Sequence, residues 1–171
     1  MIQLSQNLQD QIADAIKTIK ADYAEIRAEE FINTRIVYRG ADPDLISEPY
    51  SLGFFVRVLI NGSWGITKFN DLKNLKEKIA EAVSFAKLKG KGDVNLSDTP
   101  QVTADISYSL IKDFREISLD KKVELVKKYN QLLLKADKNV KSTNTIYADT
   151  YHIKFLVNSR GSKILQIRPS V

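Results

Sequence analysis

The side chains with the widest chemical reach in this sequence are few and scattered. Its 171 residues include one histidine, His152, and no cysteine. A hydrolytic metal centre needs several nitrogen, oxygen or sulfur ligands at fixed spacing, with one position left open for water. A lone imidazole in the strand-like run from His152 to Val157 reads as a structural or surface residue. Without cysteine there is no thiol nucleophile, no thiolate ligand and no disulfide, which agrees with a reducing compartment. The neighbours Glu29 and Glu30 point to opposite faces of an extended segment, so they do not form a general acid–base couple. Glu25, Arg27 and Glu29 share one face, read here as exposed and carrying weak ion pairs. Serines are numerous, yet no GxSxG elbow occurs and His152 has no serine at a recognised spacing. No residue is assigned a catalytic, cofactor-binding or metal-binding role.

A second candidate is the glycine-bearing stretch GFFVRVLINGSWGITKFNDL, residues 53–72. A phosphate cradle would show GxxxxGK[ST] or GxGxxG opening directly into a helix, and neither pattern is present. Asn61-Gly62 instead suits a type I′ turn, which needs positive φ at both central residues. A two-residue loop sets Ile60 opposite Ser63, Leu59 opposite Trp64 and Val58 opposite Gly65. Phe54, Val56, Val58 and Ile60 then line one face. Phe55, Leu59, Trp64 and Ile66 line the other, with Arg57 and Lys68 among them. Apolar residues on both faces predict a hairpin near the middle of a sheet. Gly65 is expected to leave room beside Val58 or a neighbour of Trp64.

The elements around this hairpin follow from periodicity. Leu4, Leu8, Ile12, Ile16 and Ile19 recur at helical steps and predict a helix over 5–20. Alternation predicts a strand over 23–38, with a bulge near Phe31 and Ile32 where the apolar phase changes. Strands are expected over 45–69, then a helix over 71–88 capped by Asn70 or Asp71. Residues 89–117 read as a long connection lying on the body of the domain. Ser118 caps a helix over 119–135, whose stripe is Leu119, Val123, Val126, Asn130 and Leu133, widened by Leu132 and Leu134. Strands return over 141–168, with turns at Asp149-Thr150 and at Ser159–Ser162. The sum is one α+β domain over 1–171: a mostly antiparallel or mixed sheet carrying three amphipathic helices.

A chain of this length buries roughly 70 % of its unfolded surface, enough for a real core. The net charge is +5 and the isoelectric point near 9.3. The lysines lie on helical faces mixed with glutamates, which reads as solvation. Clustered arginines or interleaved exposed aromatics, the marks of a nucleic-acid surface, are not visible along the chain. The amino terminus lacks the layout of a signal peptide, and no apolar run reaches the roughly 20 residues of a membrane span. A cytoplasmic protein is expected, with no membrane or nucleic-acid partner.

One combination is more specific than its parts. ADYAEIRAEE (21–30), followed by GFFVRVLINGSWGITKFNDLKNLKEKIAEAVSFAK (53–87), resembles the amino-terminal domain of the TldD/PmbA family, also called modulators of DNA gyrase. ISLDKKVELVKKYN (117–130) and VNSRGSKILQ (157–166) are similar to later segments of the same region. Trp64-Gly65 and Phe69-Asn70-Asp71-Leu72 look more like the TldD branch than the PmbA branch. The resemblance implies a metal-dependent peptidase whose HExxxH motif, with zinc or another divalent ion, sits in a carboxy-terminal domain. No HExxxH occurs here, so no family catalytic residue is carried onto this chain. It also implies a homo- or heterodimer with a TldD/PmbA-type subunit, and peptide or unfolded polypeptide as substrate. The chain is expected to be the non-catalytic amino-terminal part, serving dimer assembly and substrate access. The alternative is a free-standing binding or scaffold domain for nucleic acid or an acidic protein. Lys163 to Arg168 is the expected exposed strand edge.

Overall fold

The computed structural model describes residues 4–108 and 110–171. Met1 to Gln3, part of the amino-terminal stretch read above, and Ser109, within the expected connection, lie outside the described residues. The elements in order are α1 (Gln6–Lys17), β1 (Tyr23–Arg39), β2 (Asp42–Ser47), β3 (Tyr50–Ile60), β4 (Ser63–Phe69), α2 (Leu75–Leu88), β5 (Thr103–Ser107), α3 (Leu119–Leu134), β6 (Asn144–Asn158) and β7 (Lys163–Ser170). Short 3-10 turns at Leu72–Asn74 and Phe114–Glu116 precede α2 and α3. The architecture is α+β, with a mixed sheet in the order β4-β3-β1-β6-β7-β5 and β2 paired to β1.

Two compact units divide the chain. The first holds the residues up to Glu30 with 51–107 and 153–167, and the second holds 31–50, 108–152 and 168–171. In the first unit the hairpin has the register that a two-residue loop requires, with Ile60 opposite Ser63, Leu59 opposite Trp64 and Val58 opposite Gly65. Asn61 and Gly62 take φ of 50° and 74°, the positive values of a primed turn. The turn is held from outside as well. Gly92 N donates to Asn61 O at 2.9 Å and Val94 N to Gly62 O at 3.1 Å. Part of the segment read as linker therefore lies on the hairpin.

Gly65 has a different reason from the one expected. A Cβ there would sit 1.8 Å from Ala82 O and 2.6 Å from Ala86 N, so the missing side chain admits the backbone of α2. Thr67 Oγ1 donates to Lys78 O at 2.9 Å and fixes the same contact. This face buries Phe54, Val56 and Val58, with Leu75, Ala82 and Ala86 coming from α2. Asp71, not Asn70, caps the 3-10 turn that leads into α2, accepting from Lys73 N at 2.9 Å, and Asn74 at the N-cap position of α2 makes no side-chain capping bond. The hairpin lies at one end of the sheet, not near its middle. Its second apolar face comes from aromatics that stack with arginines, described below.

β1 is longer and more regular than its sequence suggests. Ala24, Ile26, Ala28 and Glu30 are buried, and Thr34, Ile36 and Tyr38 keep the same parity, so the buried face does not switch near Phe31 and Ile32. The register shift against β2 falls between Val37 and Tyr38. In the second unit Ile36, Tyr38 and Val126 form a core onto which Leu119, Val123 and Tyr147 pack. Asn130, 1 % exposed, donates from Nδ2 to Gly40 O at 2.7 Å and accepts from Thr143 and Thr145 hydroxyls at 2.6 and 2.9 Å. Lys122, Val126 and Asn130 take the inward positions of α3, which leaves Leu132 and Leu133 of the expected stripe exposed. Ser118 occupies the N-cap position without a side-chain capping bond.

Three expectations for the carboxy-terminal half are corrected. β6 runs unbroken through Asp149-Thr150, because the Asp149 carboxylate is used by a buried lysine rather than by a turn. The connection 89–117 contains β5, a short and mostly exposed strand without the alternation that would mark it. β5 pairs in parallel with β7 from Thr103–Lys163 to Ser107–Ile167, so Lys163 to Arg168 is not the free edge. The sheet ends at β4 and β5 instead.

Candidate contact site

The most concentrated chemistry of the first unit gathers on the sheet face opposite α2. Alternation along β1 puts Tyr23, Glu25 and Arg27 on one side. β3 adds Phe55 and Arg57, β4 adds Trp64, and the turn after β6 adds Arg160. Glu25 is 2 % exposed, contrary to its reading as a surface residue. Its Oε2 accepts from the Tyr23 hydroxyl at 2.8 Å and from Arg57 Nη2 at 2.7 Å. Its Oε1 forms an ion pair with Arg27 Nε. A carboxylate so far from water persists only when paired and hydrogen-bonded, and two guanidinium groups supply that here.

The guanidinium groups in turn lie on rings. Arg57 sits 4.7 Å from the Trp64 centroid and 5.9 Å from that of Tyr23. Arg160 is 5.7 Å from the Tyr23 ring, and Arg27 5.9 Å from that of Phe55. Tyr23 and Trp64 meet edge to face, with centroids 5.9 Å apart. Such cation–ring contacts contribute about 0.5–2 kcal/mol each and fix the orientation of the planar cation. Burial, helped by the bond to Glu25, pushes the Tyr23 phenol up. Three cations and one carboxylate therefore gather among three rings, with Arg27 and Arg57 on the carboxylate itself. Arg27 keeps 43 % and Arg57 32 % of its side chain exposed, and Ile66 and Lys68 on the same face are exposed. The site can receive a carboxylate or another acceptor-rich group on guanidinium forks flanked by aromatic surface.

Arginines 30 and more positions apart do not cluster along the chain, so their convergence was invisible to a search for charge runs. The traces left in sequence were the parity of Glu25 with Arg27 and of Arg57 with the hairpin aromatics. Of the other residues weighed for chemistry, Glu29 lies 3.9 Å from Lys154. Glu30, fully buried, accepts from Leu4 N at 2.8 Å. His152 stacks on Phe31 with centroids 3.8 Å apart.

A buried ion pair organises the second unit. Lys122 Nζ lies 2.6 Å from Asp149 Oδ2 and 3.0 Å from Thr34 Oγ1. The Tyr147 hydroxyl donates to the same Asp149 oxygen at 2.6 Å, and burial followed by that bond pushes its phenol up. The ammonium also faces the Phe114 and Tyr147 rings at 5.7 and 5.8 Å. Lys122 and Asp149 are 5 % and 3 % exposed. Through these contacts the cluster holds α3 to the strands.

Among the described residues no group of three or more His, Asp or Glu side chains is placed to hold a metal ion. The ring of His152 is committed to Phe31. The donor set of the described residues does not fit a catalytic metal centre, and no reaction step is assigned to it.

Comparison with known proteins places these features in a family. Residues 24–86 match the model for PmbA/TldA metallopeptidase domain 1, and residues 112–171 match the model for the PmbA/TldA metallopeptidase central domain. Metalloprotease slr0863 of Synechocystis sp. is 32 % identical over 148 residues, covering 86 % of this chain and 32 % of that protein. A chain described as a modulator of a DNA gyrase from Thermotoga maritima superposes with a TM-score of 0.72 at 17 % identity, over 96 % of this chain and 37 % of the other. TldE from Thermococcus kodakarensis gives 0.72 at 19 %, over 96 % and 36 %. At these identities the structural likeness speaks for the fold alone. The chain spans between 32 % and 37 % of the length of these relatives. No helix of the described residues is long and apolar enough to cross a membrane. With both domain models matched in order along the sequence, this chain belongs to the PmbA/TldD metallopeptidase family.

Proposed function

We propose that this chain is a non-catalytic part of a TldD-like, metal-dependent peptidase of the cytoplasm. It contacts a TldD/PmbA-type subunit and guides peptide or unfolded polypeptide toward a metal site formed by residues outside it. Zinc or another divalent ion belongs to that site. Family membership supports the reading. The single observation that carries it is the arginine–aromatic face around Glu25. An unfolded peptide offers carboxylates, backbone carbonyls and apolar side chains. Forked donors beside half-buried rings recognise all three without demanding one sequence.

The experiment is fluorescence anisotropy with labelled unfolded peptides, one acidic and one basic, against the 171-residue chain. Arg27→Gln and Arg160→Gln leave the Arg57–Glu25 pair intact. The acidic peptide should bind more tightly, more weakly as salt rises, and roughly tenfold more weakly to the double variant. Equal binding of both peptides, or indifference to the two substitutions, would overturn the reading.

The alternative, a free-standing module for nucleic acid or an acidic protein, gains from the same convergence of cations and rings, which resembles a stacking platform for single strands. An oligonucleotide in the same assay separates the two. Binding of the single strand in preference to acidic peptide favours the alternative.

A further inference from the structure

α3 carries two apolar stripes, and only one is used. Lys122, Val126 and Asn130 turn inward. Turned roughly 90° around the helix from that line, Leu125, Tyr129 and Leu132 are 46 %, 56 % and 57 % exposed. These positions step by four and then three residues, the spacing of a seam that meets another helix. A surface helix of a self-sufficient fold presents polar residues there. Three large exposed apolar side chains on two turns mark a surface that is covered when the protein works.

The border of the stripe identifies the kind of cover. Lys121, Lys128 and Lys135 recur at seven-residue intervals along its outer edge, all exposed. Seven residues advance a helix by close to two turns, so the three ammonium groups form one row parallel to the stripe. An antiparallel second copy would bring this row against its own counterpart, and like charges set opposite each other are unfavourable. A partner helix with an apolar stripe and a carboxylate row beside it satisfies both features.

We infer that the outer flank of α3 is a docking surface for an acidic amphipathic helix of another polypeptide. Leu125, Tyr129 and Leu132 form the seam, and Lys121, Lys128 and Lys135 select the partner by charge. The inference rests on α3 alone and is independent of the peptide-contact reading of the first unit.

The probe is a synthetic three-heptad helix with leucine at a and d and glutamate at e and g. Its control carries lysine at e and g. Titration of the 171-residue chain should show the glutamate probe binding at least about tenfold more tightly, since like-charge rows oppose the control. Leu132→Glu should abolish this binding, while Lys128→Glu with Lys135→Glu should reverse the preference between the probes. All three positions are exposed, so circular dichroism of the variants should match the parent. Equal binding of both probes, no binding of either, or a preference that the lysine substitutions do not move would overturn the proposal. Sedimentation showing a dimer of the chain dissolved by Leu132→Glu would also overturn it, assigning the flank to a second copy.

Discussion

Replacing Lys122 with alanine tests the energetics of the second unit. The substitution leaves the Asp149 carboxylate 3 % exposed, with the Tyr147 hydroxyl as its remaining short contact. Breaking a buried pair from one side costs about 3–5 kcal/mol. Urea unfolding at pH 7 followed by circular dichroism should show a deficit of about 4 kcal/mol. The paired replacement Lys122→Met with Asp149→Leu removes both charges and should recover most of the loss. A deficit below about 1 kcal/mol, or a paired variant as unstable as the single one, would refute the claim that this cluster is a dry ion pair holding α3.

Other expectations follow from the same contacts. Gly65→Ala drives a Cβ to 1.8 Å from Ala82 O, so it should cost 3 kcal/mol or about that by chemical denaturation, since backbone and not a flexible side chain is in the way. Asn130→Ala removes the 2.7 Å bond to the Gly40 carbonyl and leaves it only the Thr143 hydroxyl at 3.2 Å, so it should cost about 2 kcal/mol, measured the same way. Of the seven tyrosines, Tyr23 and Tyr147 have raised phenols. Their contribution to stability is present below about pH 10 and is lost as pH rises through the higher folded-state values. Phenolate absorbance should show the latest-titrating group disappearing in Tyr147→Phe, and a titration unchanged by that substitution would contradict the assignment.

How much was legible depended on whether the signal was local. The Asn61-Gly62 turn and the hairpin register followed from two residues and a steric rule. The inward positions Ile12, Ile16, Val126 and Asn130 followed from helical spacing. What could not be read were features created by residues far apart in sequence. Gly65 looked like a spacer until α2 was placed on it. Asp149-Thr150 had the composition of a turn, but a lysine 27 positions earlier claims the carboxylate. β5 is too short and too exposed to alternate, and its pairing with β7 is a parallel contact with no local trace. Glu25 read as a surface acid because Arg57 reaches it from another strand, although Tyr23 and Arg27 stand two residues to either side of it. The contact site is of this second kind, and so it was missed.

The central claim is that these 171 residues supply shape and contact surface while the peptide-bond chemistry resides elsewhere. Its most direct test is the hydrolysis of an unfolded peptide by the purified chain in zinc, with and without chelator. The account predicts no turnover above buffer in either condition. Turnover that chelator abolishes, and that falls on His152→Ala, would contradict it.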